Sequence, residues 1–410
     1  MSKVITDKKL ITELLTRGVE KIYPSYAELE KKLLSGERLR LYCGYDPTGP
    51  SLHVGNAISI NKLGQFQSLG HEVIFLIGDF TSTIGDPTDK KAARIKMTRE
   101  EVLQNAKNYQ KQASAYLKFD GDNAAQIKYN SEWNSKLNFS DLIELASNFT
   151  VQRMIQRDMF QKRLTEEKPI YLHEFLYPLT QAYDSLVMDV DLELGGNDQM
   201  FNMMCGRDLL KTIKNKEKFV LTMKLLADSE GKKMGKTEGN VVFLDEAPDN
   251  IYGQVMSWPD GTIPSALELC TNLPLNEVNK MLKDLQDDKV NPRDIKMKLA
   301  REITRINSGE KLADAAQENF INTIQKKEIP VEIESWSTDK NKYRLIDLLV
   351  ASKLADSKTE ARRLTEQGAI KLQENGEFIV IKDVKKEIII KSELIISRGK
   401  LRFIKVVYKK

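Results

Sequence analysis

A chain of 410 residues is long enough for two or three domains, and 41% hydrophobic with 30% charged residues excludes disordered and fibrous classes. No run of about 18 apolar residues occurs, and the opening MSKVITDKKLITELL lacks a secretory hydrophobic region, so neither membrane spanning nor export is expected. Three widely spaced cysteines (Cys43, Cys205, Cys270) suit a reducing compartment, and with His53, His71 and His173 they form no zinc spacing. The expectation is a cytoplasmic protein without a structural metal. The net charge of +4 is unevenly spread: residues 342–410 carry 17 Lys and Arg against 9 Asp and Glu, leaving 46 basic against 50 acidic elsewhere. Such a tail fits either a polyanionic partner or a solvated basic face.

In chain order, residues 1–37 read as amphipathic helices with apolar faces at Leu10, Leu14 and Leu15, then Tyr26, Leu29, Leu33 and Leu34. Leu39-Arg40-Leu41 predicts a short strand, and the stretch LYCGYDPTGPSLHVGN then breaks into turn residues. From His53 the spacing of Val54, Ile58, Leu63, Phe66 and Leu69 predicts a helix stopped by Gly70. A helix N-terminus with unpaired N–H groups favours phosphate, although a His and a Gly there can equally be plain cap residues. Val73–Ile77 (VIFLI) reads as a buried parallel strand, making a β-α-β unit with ligands expected at the strands' carboxyl ends.

The loop TSTIGDPTDKKAAR follows, carrying Lys90, Lys91 and Arg94. Helical spacing over Arg99–Leu117 and Ser140–Arg163 is separated by a strand-like Ile127-Lys128-Tyr129. Pro178 is expected to open a helix that brings Gln181 and Asp184 to one face. Val190–Leu194 predicts another strand, ending in Gly195-Gly196 before a helix from about Gln199 to Thr212. The order predicts a doubly wound α/β parallel-sheet domain over 1–245, with a helical insertion at about 120–185. GKKMGKT at 231–237 places three lysines among glycines, which alone is no more than a solvated turn.

After Asp245, helices are expected at Asn276–Gln286, Asn291–Asn307 and Gly309–Gln325, forming an α-helical region over 246–325. Residues 326–341 read as a charged linker. In the tail (342–410), Leu345, Leu348 and Leu349 start a helix; Ser357 with Glu360 predicts a capping box for a second, stopped by Gly368. Ile379–Ile381, Ile388–Ile390 and Leu401–Val407 are β-rich.

HVGN with a later KMGKT resembles the HIGH and KMSKS signature pair of class I aminoacyl-tRNA synthetases. The series YCGYDPT, GDFTSTIGDPT, YNSEW, HEFLYPLTQAYDS, ELGGNDQ and KMGKT, spanning nearly the whole chain in order, is similar to the bacterial-type tyrosyl-tRNA synthetase family. Asn56 departs from the signature histidine, and Gly235 and Thr237 depart from the signature serines. The resemblance implies a Rossmann-like catalytic domain, an anticodon-region helical domain and a small α+β S-four-like RNA-binding domain. It implies ATP with Mg²⁺, tyrosine and tRNA(Tyr) as substrates, and a homodimer contacting through the insertion.

Carried over by motif, His53, Asn56, Lys233, Lys236, Lys90 and Arg94 would act on the phosphates, with Gly231, Gly235 and Gly239 giving the lysine loop its freedom. Tyr42 and Asp184 would hold the tyrosine hydroxyl; Tyr177, Asp86 and Gln181, helped by Gln199, would hold its ammonium. Gly44, Asp46, Thr48, Gly55, Gly196, Asp198 and Lys236 would surround ATP, and Arg362 and Arg363 would meet RNA. Asn130 and Trp133 are expected only to pack near the pocket rim, and Glu193 carries no assigned role. A tryptophan-specific sibling, a catalytically silent RNA-binding relative and an HxGH nucleotidylyltransferase remain as alternatives.

Overall fold

The computed structural model describes residues 3–88, 97–228, 241–287, 289–322, 334–374, 377–399 and 402–409. The expected roles of Lys90, Arg94, Lys233 and Lys236 therefore lie outside the described residues. Two compact units divide the chain, Met1–Glu310 and Lys311–Lys410.

The first unit is built on a six-stranded sheet: β1 (Val19–Tyr23), β2 (Arg40–Tyr45), β3 (Glu72–Ile77), β4 (Gln126–Tyr129), β5 (Leu192–Gly196) and β6 (Phe219–Met223). Its order is β1-β6-β5-β2-β3-β4. The five strands β2 to β6 run parallel, and β1 closes one edge antiparallel to β6. β2 and β3 are the apolar centre: Leu41, Tyr42, Val73, Ile74, Phe75 and Leu76 are all at most 1% exposed, as expected for strands covered on both faces.

The strand ahead of the cleft is longer than Leu39-Arg40-Leu41 suggests, since pairing with β3 carries it through Gly44 to Tyr45. Residues 1–37 are not all helical. β1 interrupts helices Lys8–Thr16 and Tyr26–Leu34, because VEKIY pairs with β6, 200 residues away, a non-local partner invisible to local periodicity. Between β4 and β5 lie helices Ser131–Asn134, Phe139–Ala146, Val151–Ile155 and Asp158–Thr165, followed by the long helix His173–Met188. That helix starts more than a turn before Pro178, which sits inside it and has no N–H to offer the Glu174 carbonyl.

Helices Pro248–Met256, Ile263–Cys270, Leu275–Gln286 and Pro292–Ser308 belong to the same unit as the sheet. Arg17 ties them to the chain's start. Its buried guanidinium donates to the carbonyls of Glu268, Thr271 and Leu273 at 3.0, 2.6 and 2.7 Å. This places a positive charge on the carbonyl-rich end of Ile263–Cys270.

In the second unit, β7 (Ser335–Thr338), β8 (Lys342–Arg344), β9 (Ile370–Glu374), β10 (Glu377–Val380), β11 (Glu387–Ile389), β12 (Glu393–Arg398) and β13 (Arg402–Tyr408) form a five-stranded sheet, β10-β9-β12-β13-β7, and a β11-β8 pair. Residues 335–338 are thus not linker: SWST pairs parallel with β13, and Trp336 packs on the domain core. The helix Lys358–Glu366 is capped by Ser357, whose Oγ accepts from the Glu360 N–H at 3.2 Å. The box is not reciprocal, because Glu360 accepts from the Asp356 N–H and from Arg398. Arg362 and Arg363 are exposed on this helix.

Candidate active site

A cleft of about 560 Å³ opens at the carboxyl ends of the parallel strands. β2 and the loop after it supply Tyr42, Gly44, Asp46 and Thr48; the helix Val54–Ser68 supplies Gly55 and Asn56 beside its cap His53. Asp86 comes from the loop after β3; Tyr177, Gln181 and Asp184 come from the helix His173–Met188; Gly196, Asp198 and Gln199 follow β5. Every described residue expected for tyrosine, ATP or phosphate is therefore gathered in one cleft, while Arg362 and Arg363 belong to the other unit.

His53 is the N-cap of its helix, and the cap is a reciprocal box. His53 Nδ1 accepts from the Asn56 N–H at 3.3 Å, and Asn56 Oδ1 accepts from the His53 N–H at 3.0 Å. A neutral His53 ring thus carries its proton on Nε2. Asn56 is a competent side chain at this position because capping needs only its oxygen. The backbone of residues 242–244 runs beside this cap. Val54 N–H donates to Val242 at 2.9 Å, Leu244 N–H donates to Leu52 at 2.9 Å, and His53 bridges Phe243. Leu225 and Leu226 also line the cleft.

Asp184 is only 2% exposed and is held by donors on both oxygens: Trp133 Nε1 at 2.7 Å and Asn134 Nδ2 at 2.9 Å on Oδ1, Asn130 Nδ2 at 3.1 Å on Oδ2. Burial pushes its carboxyl up to about 8, and the three donors pull against that. Asn130 and Trp133 are therefore not mere packing; they and Asn134 orient the carboxylate. The YNSEW motif was the available signal. Beside Asp184, burial and then the neighbouring Glu193 and Asp184 hold the Tyr42 hydroxyl protonated, well above its ordinary value.

Asp46 accepts from Thr81 Oγ1 at 2.7 Å and from the Tyr177 hydroxyl at 2.9 Å, and burial pushes it up to about 7. A Cβ on Gly78 would stand 1.9 Å from Asp46 Oδ1, so only glycine admits the carboxylate there. Asp86, also raised by burial, accepts from Gln199 Nε2 at 2.6 Å and from the Thr88 N–H at 2.8 Å. Asn202 Nδ2 donates to Gln199 Oε1 at 2.9 Å, so Gln199 serves as the donor that aims Asp86. Gln181 turns its amide nitrogen to Glu193 Oε1 at 2.9 Å, and Glu193 pairs with the buried Lys218. Thr81 lies in the GDFTSTIGDPT motif but carried no assigned role, and Asn202 and Lys218 had no signal in local sequence beyond their identity.

A parallel sheet whose cleft is bordered by a strand–loop–helix unit opening on a cap histidine is the architecture of the class I tRNA synthetases. The sequence profile of tRNA synthetases class I (W and Y) matches residues 34–325, and that of the tyrosine–tRNA ligase SYY-like C-terminal domain matches 325–406. The tyrosine–tRNA ligase of Thermotoga maritima is 41% identical over 96% of each chain; that of Carboxydothermus hydrogenoformans is 40% identical over 99% of this chain and 100% of that one. The chain belongs to the tyrosine–tRNA ligase family. Its fold is shared with the tyrosyl-tRNA synthetase of Archaeoglobus fulgidus complexed with L-tyrosine (TM-score 0.59, 21% identity, 76% of this chain and 100% of that chain). It is also shared with a C-terminally truncated mitochondrial enzyme of Aspergillus nidulans (TM-score 0.62, 22% identity, 75% and 92%).

Asp46 and Asp184 lie above the ordinary 3.8 when folded, so the folded chain keeps protons there that the unfolded chain has released. Their contribution to stability is complete below 3.8 and is lost as pH rises through about 7 to about 8. The unliganded protein should melt at a lower temperature at about pH 8.5 than at about pH 6, and Asp184→Asn should flatten that slope. Thermal unfolding of both proteins across this range is the check.

Proposed function

We propose that this cleft carries out both half-reactions of a tyrosine–tRNA ligase through the residues gathered in it. The tyrosine carboxylate attacks the α-phosphorus of ATP; one P–O bond forms, and the bond to the β-phosphate breaks to release pyrophosphate. The 3′-terminal adenosine hydroxyl of tRNA(Tyr) then attacks the carbonyl carbon of the adenylate, and AMP leaves. Such chemistry gains most from positioning and from positive groups placed where charge develops.

His53 at its helix N-terminus and Asn56 beside it face the phosphate side, with Lys233 and Lys236 as the cations of the first step and Lys90 and Arg94 on the pyrophosphate side. Gly44, Asp46, Thr48, Gly55, Gly196 and Asp198 take the nucleotide. Tyr177, Asp86 and Gln181 take the ammonium, which brings donors only and so needs acceptors. Magnesium arrives on the phosphates of ATP, since the cleft's buried carboxylates are already engaged by N–H and O–H donors. The observation that carries the tyrosine reading is the buried Asp184 carboxylate, fixed by three donors beside Tyr42. A tryptophan pocket has no hydroxyl for that pair to read.

The division into a catalytic region (1–245), an anticodon-region helical part (246–325), a linker and an RNA-binding tail (342–410) is our functional partition of the chain. Exposed Phe139, Ile143, Val151, Tyr171 and Leu172 cluster in the segment between β4 and the helix His173–Met188. A second copy of this chain is their proposed cover, giving a homodimer. Among the described residues no helix is long and apolar enough to cross a membrane. The three buried free thiols support a cytoplasmic setting.

Amino-acid-dependent ATP–pyrophosphate exchange with all twenty amino acids tests this reading: tyrosine alone should support exchange, and tryptophan instead would discard the pocket assignment. Asp184→Ala should cut the preference for tyrosine over phenylalanine by about 10- to 100-fold, the cost of one buried bond to a charged group. Lys236→Ala should slow exchange by about 10²–10³-fold, as for loss of one group that stabilises developing charge; unchanged exchange would remove Lys236 from the mechanism. The pair Arg362→Ala with Arg363→Ala should raise the KM for tRNA and weaken its salt dependence while leaving exchange intact.

A further inference from the structure

Beneath the amino-acid end of the cleft, a closed hydrogen-bond circuit joins residues that the reaction itself does not use. Lys218, just before β6, and Glu193, in β5, are at most 1% exposed and form an ion pair. Lys218 Nζ also donates to Ser185 Oγ at 2.9 Å, and Ser185 Oγ donates to Glu193 Oε2 at 3.2 Å. The Tyr42 hydroxyl lies 2.9 Å from the same Ser185 Oγ, and Gln181 reaches Glu193 as described. The fold keeps space for this circuit. A Cβ on Gly206, in the middle of the helix Met200–Lys214, would stand 2.6 Å from Lys218 Nζ and 2.7 Å from Ser185 Oγ. Glycine is a poor mid-helix residue, and here its missing side chain is the room the ammonium occupies.

With Ser185 donating to Glu193, counting hydrogens gives the remaining directions in the circuit. An ammonium only donates, and a carboxylate only accepts. The single Ser185 hydrogen goes to Glu193, so the two Ser185 lone pairs receive Lys218 and Tyr42. Tyr42 has then spent its hydrogen, and its oxygen can offer a ligand only lone pairs. Gln181, with its amide nitrogen on Glu193, keeps its carbonyl oxygen for a ligand. Asp184, its oxygens engaged by three donors, stands beside Tyr42.

We propose that the Lys218–Glu193 pair, acting through Ser185 and Gln181, sets the hydrogen-bond polarity of the amino-acid pocket. The pocket then selects a para substituent that brings hydrogen rather than one that only accepts it. Lys218, Glu193 and Ser185 are positioning residues in this scheme, and the scheme rests on the tyrosine reading of the cleft.

The test compares kcat/KM in pyrophosphate exchange for tyrosine, 4-aminophenylalanine and 4-fluorophenylalanine, using the full chain. The amino analogue carries two hydrogens and the fluoro analogue none, at similar size. The unmodified enzyme should prefer the amino over the fluoro analogue by about 10- to 100-fold, the worth of a buried bond to a polar or charged group. Ser185→Ala frees the Tyr42 hydrogen to turn toward the cleft, so that ratio should fall about tenfold. In a Tyr42→Phe background the same substitution should change it no further. Glu193→Gln, which keeps the shape, should move the ratio in the same direction and carries the test should Ser185→Ala not fold. An unchanged ratio in a folded variant, or additive effects of the Ser185 and Tyr42 substitutions, would overturn the proposal alone. A lack of tyrosine-dependent exchange in the unmodified protein would overturn the parent reading with it.

Discussion

Burial of charge beneath the cleft is the constraint on which the rest of the structure depends. Lys218 and Glu193 are both removed from water, and removing one partner of such a pair typically costs about 3–5 kcal/mol. A well-packed apolar pair in the same place is often as stable or more so, so stability alone does not explain the ions. What they supply is direction: the helix His173–Met188, β5 and the start of β6 are tied to one another by hydrogen bonds that meet at Ser185 and Glu193. Asp184, Asp46 and Asp86 are likewise desolvated, and each is supplied with donors from a different element. The cleft is thus prepared for a polar ligand before the ligand arrives.

The signature departures become intelligible in the same terms. Asn56 does at its helix start what capping requires, accepting from the His53 N–H while presenting its own N–H to His53. The ring is held by backbone geometry, so its aim does not depend on a second histidine. Backbone pairing of Val242 and Leu244 with Val54 and Leu52 sets residues 242–244 against that cap, although the two stretches are far apart in sequence.

Much of this was legible from residue order, and the failures share a cause. Strands such as VIFLI and helices such as that from Val54 announce themselves through local apolar spacing, and the motifs placed all the described cleft residues together. β1, β6 and β7 did not announce themselves, because their partners are distant and their own sequences, VEKIY, FVLTM and SWST, are short or only partly apolar. Pro178 misled as a helix start because an isolated proline is costly inside a helix, yet packing of the surrounding helix carries it. The donors to Asp184 were visible as residues but not as partners. Which side chains meet across three elements is settled by tertiary packing.

The order of synthesis gives the Arg17 cross-link a further consequence. Among the described residues β1 has its one sheet neighbour in residues 220–223, and the carbonyls that receive Arg17 belong to residues 267–273. While a ribosome is still making the middle of the chain, the first strand has no ladder to join and the arginine keeps its water. The pairing of β1 and the bonds of Arg17 therefore form late although their residues are made first, closing the sheet edge and tying in the helical region once about two thirds of the polypeptide has emerged.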